Sequence, residues 1–300
     1  MTDAQTPGTA GLTVGAAPVG VVGCGLMGSG IAEVFARAGR TVRVVETDPA
    51  AAQRGRARIR ASLAQATRRG KLDEDLRDEV LTRITVGTDL DALADSELVV
   101  EAANEDEAVK STLFTRLDAV LTRDDAVLAS NTSSIPIMKL GTATRRPERV
   151  VGLHFFNPVP VLPLVEVVPS LLTHQDTVDQ VQRIAEQDLG KTVIHSQDRA
   201  GFIVNSLLVP YLLSAVRMLE SGFASAADID AGMVRGCAHP MGPLQLADLI
   251  GLDTVKAIAL SLYEEFKEPL YSPPPMLLRM VDAGLLGRKS GRGFYEYSAS

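Results

Sequence analysis

The chain has 300 residues, enough for about two domains, and its 46% apolar and 22% charged residues are the composition of a globular protein, which excludes a disordered chain. Thirty Lys and Arg against 37 Asp and Glu give a net charge of −7, so the overall field repels nucleic acid and anionic lipid, and we expect neither as a partner. Two cysteines, Cys24 and Cys237, are too few for a disulfide framework and form no zinc-ligand spacing with the four histidines. We therefore expect no metal site and a reducing, cytoplasmic location.

The first residues of the chain differ in composition from the rest. Residues 1–17 are small and polar and lack the cationic start and apolar core of a signal peptide, so we expect a disordered tail. Farther along, no apolar run approaches the ~18 residues that cross a bilayer. The sequence therefore predicts no membrane span.

The remainder divides into two parts with different hydrophobic patterns. Residues 18–198 alternate short β-branched runs with helical patterns, which is typical of parallel strands joined by helical crossovers. Residues 199–300 contain helical patterns only, so we expect a doubly wound, mostly parallel α/β sheet followed by an all-helical C-terminal domain. The predicted strands are Val19–Val22, Thr41–Glu46, Ile84–Gly87, Leu98–Glu101, Ala126–Ser130, Val150–His154 and Leu164–Val168. The predicted C-terminal helices are Phe202–Glu220, Ser225–Gly236, Leu246–Leu249 with Asp253–Phe266, and Met276–Gly284.

A glycine-rich loop follows the first predicted strand. It reads Gly-Cys-Gly-Leu-Met-Gly over residues 23–28 and leads into a helical pattern. Gly23 permits a tight turn, Gly25 lets the backbone approach a pyrophosphate at the helix N-terminus, and Gly28 lets helix and strand pack closely. This arrangement predicts a Rossmann-type dinucleotide-binding site.

The end of the second strand indicates which dinucleotide binds. Glu46 stands 18 positions beyond Gly28, where a carboxylate can accept hydrogen bonds from ribose hydroxyls. Thr47 and Asp48 follow it, so a 2′-phosphate would meet two carboxylates and no arginine. The sequence therefore favours NAD over NADP.

A histidine and a glutamate lie symmetrically about a proline in two apolar runs. Pro160 is the midpoint between His154 and Glu166, so the carboxylate would lie opposite the imidazole if the chain folds back there. The carboxylate would then fix the imidazole tautomer and raise its basicity. Hydride transfer from an alcohol requires such a proton acceptor. A structural histidine at a strand end is the alternative interpretation.

Polar residues also follow the strand Ala126–Ser130. Ligands of open α/β sheets bind at the carboxyl ends of the strands, so we expect Ser133 to face a ligand. We expect Ser134 to cap the helical segment Ile135–Leu140.

Five segments together resemble the L-3-hydroxyacyl-CoA dehydrogenases, most of all the bacterial 3-hydroxybutyryl-CoA dehydrogenases. They occur in the same order from about Val19 to Tyr297, and their combination is far more specific than any one of them. The segments are Gly23–Gly28, Ala129–Ser134, Gly152–Pro158, Gly201–Asn205 and Lys289–Tyr295.

The resemblance implies NAD-dependent, reversible oxidation of (S)-3-hydroxyacyl-CoA to 3-ketoacyl-CoA. It implies His154 as general base with Glu166 as its partner, and Ser133, Asn157 and Asn205 as donors around the 3-oxygen and the nicotinamide. It further implies a cofactor set that comprises Gly23, Gly25, Leu26, Met27, Gly28, Glu46, Glu105, Lys110, Asn131, Ser133, Asn157 and Lys289. In the family, Asp is commonly found where this chain has Glu46, and an apolar pair where it has Ala103-Asn104.

A basic stretch interrupts the acidic chain from Pro49 to Lys71, with six arginines, one lysine and no acidic residue. A solvated helix face and a site for the phosphates of coenzyme A both account for it. The resemblance implies the second, with Ser62, Arg69 and Ser133 as coenzyme A contacts.

Two rival functions remain beside this one. They are an NAD-dependent dehydrogenase of a non-CoA hydroxy acid and a non-catalytic nucleotide-binding protein. The resemblance also implies a homodimer through the C-terminal helical domain. Residues 207–213 are apolar on every face of their predicted helix, which a core helix and a dimer interface both explain.

Overall fold

The structure of the chain is a computed structural model, which describes residues 17–297. The chain forms two compact units, the first ending at Asp198 and the second beginning at Arg199. The expected tail, residues 1–17, lies outside the described residues except for Ala17, whose carbonyl accepts a hydrogen bond of 2.8 Å from Arg40. No helix in the described part of the chain is long and apolar enough to cross a membrane.

The first unit is built on one sheet of eight strands. They are β1 (Val19–Val22), β2 (Val42–Val45), β3 (Ile84–Gly87), β4 (Leu98–Glu101), β5 (Val127–Ser130), β6 (Val150–Phe155), β7 (Leu164–Pro169) and β8 (Thr192–His195). Their order across the sheet is β3-β2-β1-β4-β5-β6-β7-β8. Every neighbouring pair is parallel except β6 and β7, which are antiparallel. The predicted mostly parallel, doubly wound sheet is confirmed.

Burial explains why these short runs form strands. Every residue of β1, β4, β5 and β6 is buried, as expected for parallel strands covered on both faces. The described helices of this unit are α1 (Leu26–Arg37), α2 (Pro49–Arg68), α3 (Glu74–Thr82), α4 (Glu107–Val120), α5 (Ile137–Thr142) and α6 (Gln175–Arg183). Side chains such as Ile31, Phe35 and Leu63 on α1 and α2 are fully buried in the same core as β1 and β2. Each such burial contributes about 1.5–3 kcal/mol.

The topology collects functional loops at one edge of the sheet. Strand order reverses at β1, whose neighbours are β2 and β4, and ligands of open α/β sheets bind beside such a switch point. The carboxyl ends of β1, β2, β4, β5 and β6 lie at this edge. They lead into the glycine-rich loop, Glu46, the segment before α4, the polar cluster after Ser130, and His154 with its neighbours.

One strand and one helix start differ from the sequence predictions. The strand β8 is not among the predicted strands, because this edge strand has only four residues and its first and last are exposed. The expectation that Ser134 caps a helix from Ile135 is wrong. The helix α5 begins at Ile137, and the Asp198 carboxylate accepts hydrogen bonds from the backbone N–H groups of Ile137 (2.7 Å) and Met138 (2.8 Å).

The second unit is helical, as predicted. Its described helices are α7 (Val204–Glu220), α8 (Ala226–Gly236), α9 (Pro243–Ile250), α10 (Leu252–Phe266) and α11 (Pro275–Asp282). The apolar stretch of α7 divides between two environments. Val209, Leu212 and Leu213 are buried in the core of this unit, whereas Leu207 is 73% exposed.

Candidate active site

The glycine-rich loop after β1 closes tightly and leaves its backbone accessible. Gly23 has φ +90°, and a Cβ there would lie 2.6 Å from the carbonyl oxygen of Ala102. A Cβ on Gly28 would lie 1.9 Å from the carbonyl oxygen of Gly23, so α1 can approach the strand only through a glycine. A Cβ on Gly25 would meet nothing within 4 Å. The open space beside Gly25, at the N-terminus of α1, fits a pyrophosphate.

A cleft of about 920 Å³ opens beside this loop. The end of β2, the first half of α2 and one face of α4 line it, and the residues include Glu46, Ala51, Arg54, Arg58, Leu90, Val109, Thr112 and Arg116. One oxygen of Glu46 accepts a hydrogen bond from the backbone N–H of Cys24 at 2.5 Å, and the other accepts one from Thr47 at 3.0 Å. A carboxylate fixed at the end of β2 fits the ribose hydroxyls of a dinucleotide.

The thiol of Cys24 lies in the same loop and is buried. Burial and the neighbouring Glu46 carboxylate raise the pKa of Cys24 to about 11, against the opposing effect of Arg58. The thiol is therefore neutral at physiological pH and packs as a small apolar group.

The antiparallel pair β6 and β7 brings His154 and Glu166 together. These residues are direct partners in the strand register, so the predicted fold-back of the chain about Pro160 is confirmed. The Nδ1 atom of His154 lies 2.7 Å from Oε2 of Glu166, and the two residues are 6% and 0% exposed. Because an ionised carboxylate only accepts hydrogen bonds, this contact places a proton on Nδ1 and fixes the ring orientation. The ring of Phe156 packs edge-on against the imidazole of His154, with 4.7 Å between the ring centroids.

A buried lysine binds two carboxylates, one at the end of β4 and one in the segment that follows it. Lys110 is 1% exposed, and its Nζ lies 2.6 Å from Oε1 of Glu101 and 3.1 Å from Oε2 of Glu105. The other oxygen of Glu101 accepts a hydrogen bond of 2.6 Å from the hydroxyl of Ser130. Glu101 is not among the predicted site residues, and its only signal in the sequence is that an acidic residue ends an apolar strand nine positions before a lysine.

Glu105 fixes the polar cluster after β5. Its Oε1 accepts hydrogen bonds from the hydroxyl of Thr132, the backbone N–H of Ser133 (3.1 Å) and the hydroxyl of Ser134 (2.9 Å). Desolvation opposes ionisation of Glu105, but Lys110 and the hydroxyl donors outweigh it and hold the pKa of this carboxyl below its usual value. The carboxylate is therefore charged at neutral pH.

Two predicted asparagines lie at the same edge. The side-chain oxygen of Asn131 accepts a hydrogen bond of 2.8 Å from the backbone N–H of Phe155, which ties the end of β5 to the end of β6. Asn157 follows β6 and is exposed. The structure thus brings Ser133, Glu105, Lys110, Asn131 and Asn157 to the sheet edge that holds His154.

The basic stretch does not form a single face. Arg58 donates to the carbonyl of Cys24 at 2.6 Å, and Arg56 donates to the carbonyl of Val86 on a different side of α2. Ser62, in the C-terminal half of α2, is partly buried, and Arg69 ends the helix as an exposed cap residue.

Two predicted site residues belong to the second unit. Asn205 lies in the first turn of α7 and is 8% exposed. Lys289 forms an ion pair of 2.5 Å with Asp253 of α10. The helix that holds Asn205 and the ion pair of Lys289 both lie within the second unit.

Family models match nearly all of the described residues. Residues 18–199 match the model of the 3-hydroxyacyl-CoA dehydrogenase, NAD binding domain, and residues 201–297 match that of the 3-hydroxyacyl-CoA dehydrogenase, C-terminal domain. A 3-hydroxybutyryl-CoA dehydrogenase of Mycobacterium tuberculosis is 60% identical over 279 residues, which cover 93% of this chain and 98% of that protein. The mitochondrial hydroxyacyl-coenzyme A dehydrogenase of Homo sapiens is 42% identical over 287 residues, which cover 93% of this chain and 90% of that protein.

Solved structures agree with these sequence matches. The crystal structure of M. tuberculosis FadB2 matches with a TM-score of 0.93 and 60% identity, over 94% of this chain and all (100%) of that one. An (S)-3-hydroxybutyryl-CoA dehydrogenase from Ralstonia eutropha matches with a TM-score of 0.88 and 43% identity, over 94% of this chain and 99% of that one.

Proposed function

Because the chain belongs to the 3-hydroxyacyl-CoA dehydrogenase family, we propose that it catalyses the reversible, NAD-dependent oxidation of (S)-3-hydroxyacyl-CoA to 3-ketoacyl-CoA. The observation that carries the proposal is the buried pair of His154 and Glu166, 2.7 Å apart, at the same sheet edge as the glycine-rich loop. The names of similar proteins favour 3-hydroxybutyryl-CoA as the substrate.

His154 is the general base of the proposed reaction. Its Nδ1 is held by Glu166, so the proton exchange with the substrate hydroxyl falls to Nε2. The imidazolium that forms is stabilised by the buried carboxylate of Glu166. Proton transfer by a positioned side chain of this kind accelerates a reaction by about 10²–10⁴-fold.

The glycine-rich loop and the cleft beside it would hold NAD, which supplies the hydride acceptor when bound. The residues at positions 23–28 would bind the pyrophosphate, and Glu46 would accept hydrogen bonds from the adenosine ribose. Glu105, Lys110, Asn131, Ser133, Asn157 and Lys289 complete the proposed cofactor set.

The proposed substrate contacts are those that the family resemblance implies. Ser133, Asn157 and Asn205 would donate hydrogen bonds around the 3-oxygen and orient the reacting carbon. Ser62 of α2 and Arg69 at the C-terminal cap of that helix would contact coenzyme A, where the positive charge of the basic stretch attracts phosphate. Residues beside the reacting carbon and residues beside the phosphates would thereby fix the two ends of the substrate.

The chain is proposed to act as a homodimer in the cytoplasm. Leu207 leaves an apolar side chain exposed on α7, within an apolar stretch whose other residues are buried or partly buried. Both cysteines are free thiols in the structure, as a reducing compartment favours.

The direct test of the proposed function is the oxidation of NADH on addition of acetoacetyl-CoA, with free acetoacetate as the matched substrate without coenzyme A. The chain has no tryptophan, and NADH absorbs where the protein does not, so the absorbance reports the cofactor alone. We expect turnover with the thioester and little with the free acid.

Two results would contradict the proposal. Equal turnover of the free acid would favour a dehydrogenase of non-CoA hydroxy acids. The absence of turnover with either substrate, in folded protein that still binds NADH, would favour a non-catalytic nucleotide-binding protein.

A further inference from the structure

Two arginines of the basic stretch line the same cleft as the carboxylate proposed to bind ribose. Arg54 and Arg58 are four positions apart on α2, hence on one face of the helix, and both line the cleft together with Glu46. The sequence shows no arginine directly after Glu46, but the fold supplies two from the following helix. The cleft therefore holds positive charge beside the position expected for the 2′-hydroxyl of a bound dinucleotide.

Arg58 and Glu46 both form hydrogen bonds with the backbone of Cys24. Arg58 donates to the carbonyl oxygen of Cys24 at 2.6 Å, and the backbone N–H of the same cysteine donates to Glu46 at 2.5 Å. One residue of the glycine-rich loop thus joins the two charged groups. Both side chains affect the pKa of the Cys24 thiol, Glu46 by raising it and Arg58 by lowering it.

Arg54 lies one turn nearer the start of the helix. The backbone N–H of Ala51 and the hydroxyl of Thr47 hold the pKa of Asp48 below its usual value, and the positive charge of Arg54 adds to that effect. Asp48 already accepts hydrogen bonds from both donors as the N-cap of α2. Its carboxylate is therefore engaged by its own helix, and Glu46 is the carboxylate fixed at the cleft wall.

We propose that Arg54 and Arg58 form a latent site for the 2′-phosphate of NADP(H), and that the charge of Glu46 keeps NADPH out of it. Guanidinium groups bind phosphate oxygens with strong, directional hydrogen bonds, whereas a carboxylate repels a phosphate dianion. This inference rests on the proposed use of NAD. It assigns the cofactor selectivity of the chain to a balance between one acidic and two basic side chains.

The test is the Glu46→Gln substitution, which removes the charge and keeps a side-chain oxygen that can accept from Cys24. Binding of NADPH and NADH is titrated by nicotinamide fluorescence without any acyl substrate, and kcat/KM with acetoacetyl-CoA is measured for both cofactors. We expect NADPH to bind about tenfold or more tighter than to the wild-type chain. NADH should bind more weakly, since the ribose hydroxyls lose a charged acceptor.

Matched variants test the two arginines. Adding Arg54→Gln and Arg58→Gln to Glu46→Gln should abolish the gain in NADPH affinity, and adding Arg54→Gln alone, which keeps the Arg58 contact with Cys24, should reduce it. Adding Arg60→Gln should leave the gain intact, because this exposed arginine lies two positions from Arg58 and so on another side of the helix. If Glu46→Gln does not fold, Glu46→Ser tests the same loss of charge.

The inference is overturned if NADPH binds no tighter to the charge-removed variant, or if the gain survives without Arg54 and Arg58. Failure of the proposed function has a different signature. In that case, the wild-type chain does not reduce acetoacetyl-CoA, while the fluorescence titrations still report the affinities for the two cofactors.

Discussion

Lys110 is 1% exposed, and the two carboxylates of Glu101 and Glu105 bind its ammonium group. Glu101→Gln removes the shorter of these two ion pairs, and breaking a buried ion pair costs about 3–5 kcal/mol. We therefore expect Glu101→Gln to lower the free energy of unfolding by about 3 kcal/mol, as measured by urea denaturation at pH 7. Turnover should fall as well, because the same network fixes the segment that contains Ser133.

The matched control is Glu107→Gln. Glu107 also pairs with a lysine, Lys139, at 2.6 Å, but the two side chains are 50% and 53% exposed. An exposed pair contributes about 0–1 kcal/mol, so this variant should remain close to the wild-type chain. Equal destabilisation by the two substitutions would contradict the importance assigned to the buried network.

Glu166→Gln tests the role of the carboxylate beside His154. The amide keeps a hydrogen bond to Nδ1 but no longer stabilises a positive imidazolium. We expect kcat to fall about tenfold or more and the acid limb of the pH–rate profile for alcohol oxidation to move to lower pH. A purely structural glutamate would leave that profile unchanged, and this result would count against the proposed pair.

At the scale of single residues, the sequence predicts the pair of His154 and Glu166 but not the ion pair of Glu101 and Lys110. The symmetry of His154 and Glu166 about Pro160 is visible in the chain because an antiparallel turn has a midpoint. The contact between Glu101 and Lys110 depends on how α4 packs behind β4, and no local pattern encodes that packing. Asp198 likewise binds the start of α5 from 61 positions away.

Among the helices, α1 buries a carboxylate on the side that meets α2. Glu33 is 0% exposed, and burial raises its pKa despite the opposing effects of Ser62 and Arg37. The folded state therefore favours the protonated form. The stability from this group is present in full below its ordinary pKa of about 4.5 and is lost as the pH rises through the raised value.

We therefore expect Glu33→Gln, which mimics the protonated form, to raise the melting temperature at pH 8 relative to the wild-type chain. The difference should shrink toward pH 4, where the wild-type carboxyl is itself protonated. Thermal unfolding at pH 4, 6 and 8 measures this difference in melting temperature. The control is Glu79→Gln on α3, because the side chain of Glu79 is 55% exposed. A difference that does not vary with pH would argue against a raised pKa for Glu33.

Strands and helices with continuous apolar runs are predictable from the sequence. Which part of the structure their polar side chains face is not. The four residues of β8 lie at the sheet edge and carry too weak a pattern to be recognised. The arginines of α2 can be counted in the sequence. Which of them face the cofactor cleft follows only from the packing of α2, where Arg56 contacts the carbonyl of Val86 in β3 while Arg54 and Arg58 line the cleft.

For the whole molecule, the proposed homodimer makes a specific prediction about α7. Leu207 is 73% exposed in the helical unit, and Leu171 is 95% exposed in the turn after β7. We expect the native chain to sediment with the mass of a dimer. Leu207→Asp should weaken or abolish the dimer, because it places a charge in an apolar contact.

Leu171→Asp is the matched control, since it makes the same substitution at an exposed leucine of the other unit. It should leave the dimer intact. A monomeric native chain, or equal loss of the dimer in both variants, would contradict the assignment of the interface to the helical unit.

At the largest scale, hydrophobic periodicity predicts both parts of the chain. It predicts the alternation of strands and helices up to Asp198 and the helices after that residue. Periodicity reports which residues are buried, so it predicts the sheet and the helical unit well. It carries no information on which surface another copy of the chain would cover, and the exposed Leu207 became visible only in the structure.

The central claim is that His154 transfers the proton in NAD-dependent dehydrogenation. The most direct measurement is kcat for acetoacetyl-CoA reduction by the His154→Gln variant, together with its affinity for NADH. We predict a fall in kcat of about 10²–10⁴-fold with little change in NADH affinity, because the glycine-rich loop and Glu46 remain intact. Near-normal turnover in this variant would contradict the claim.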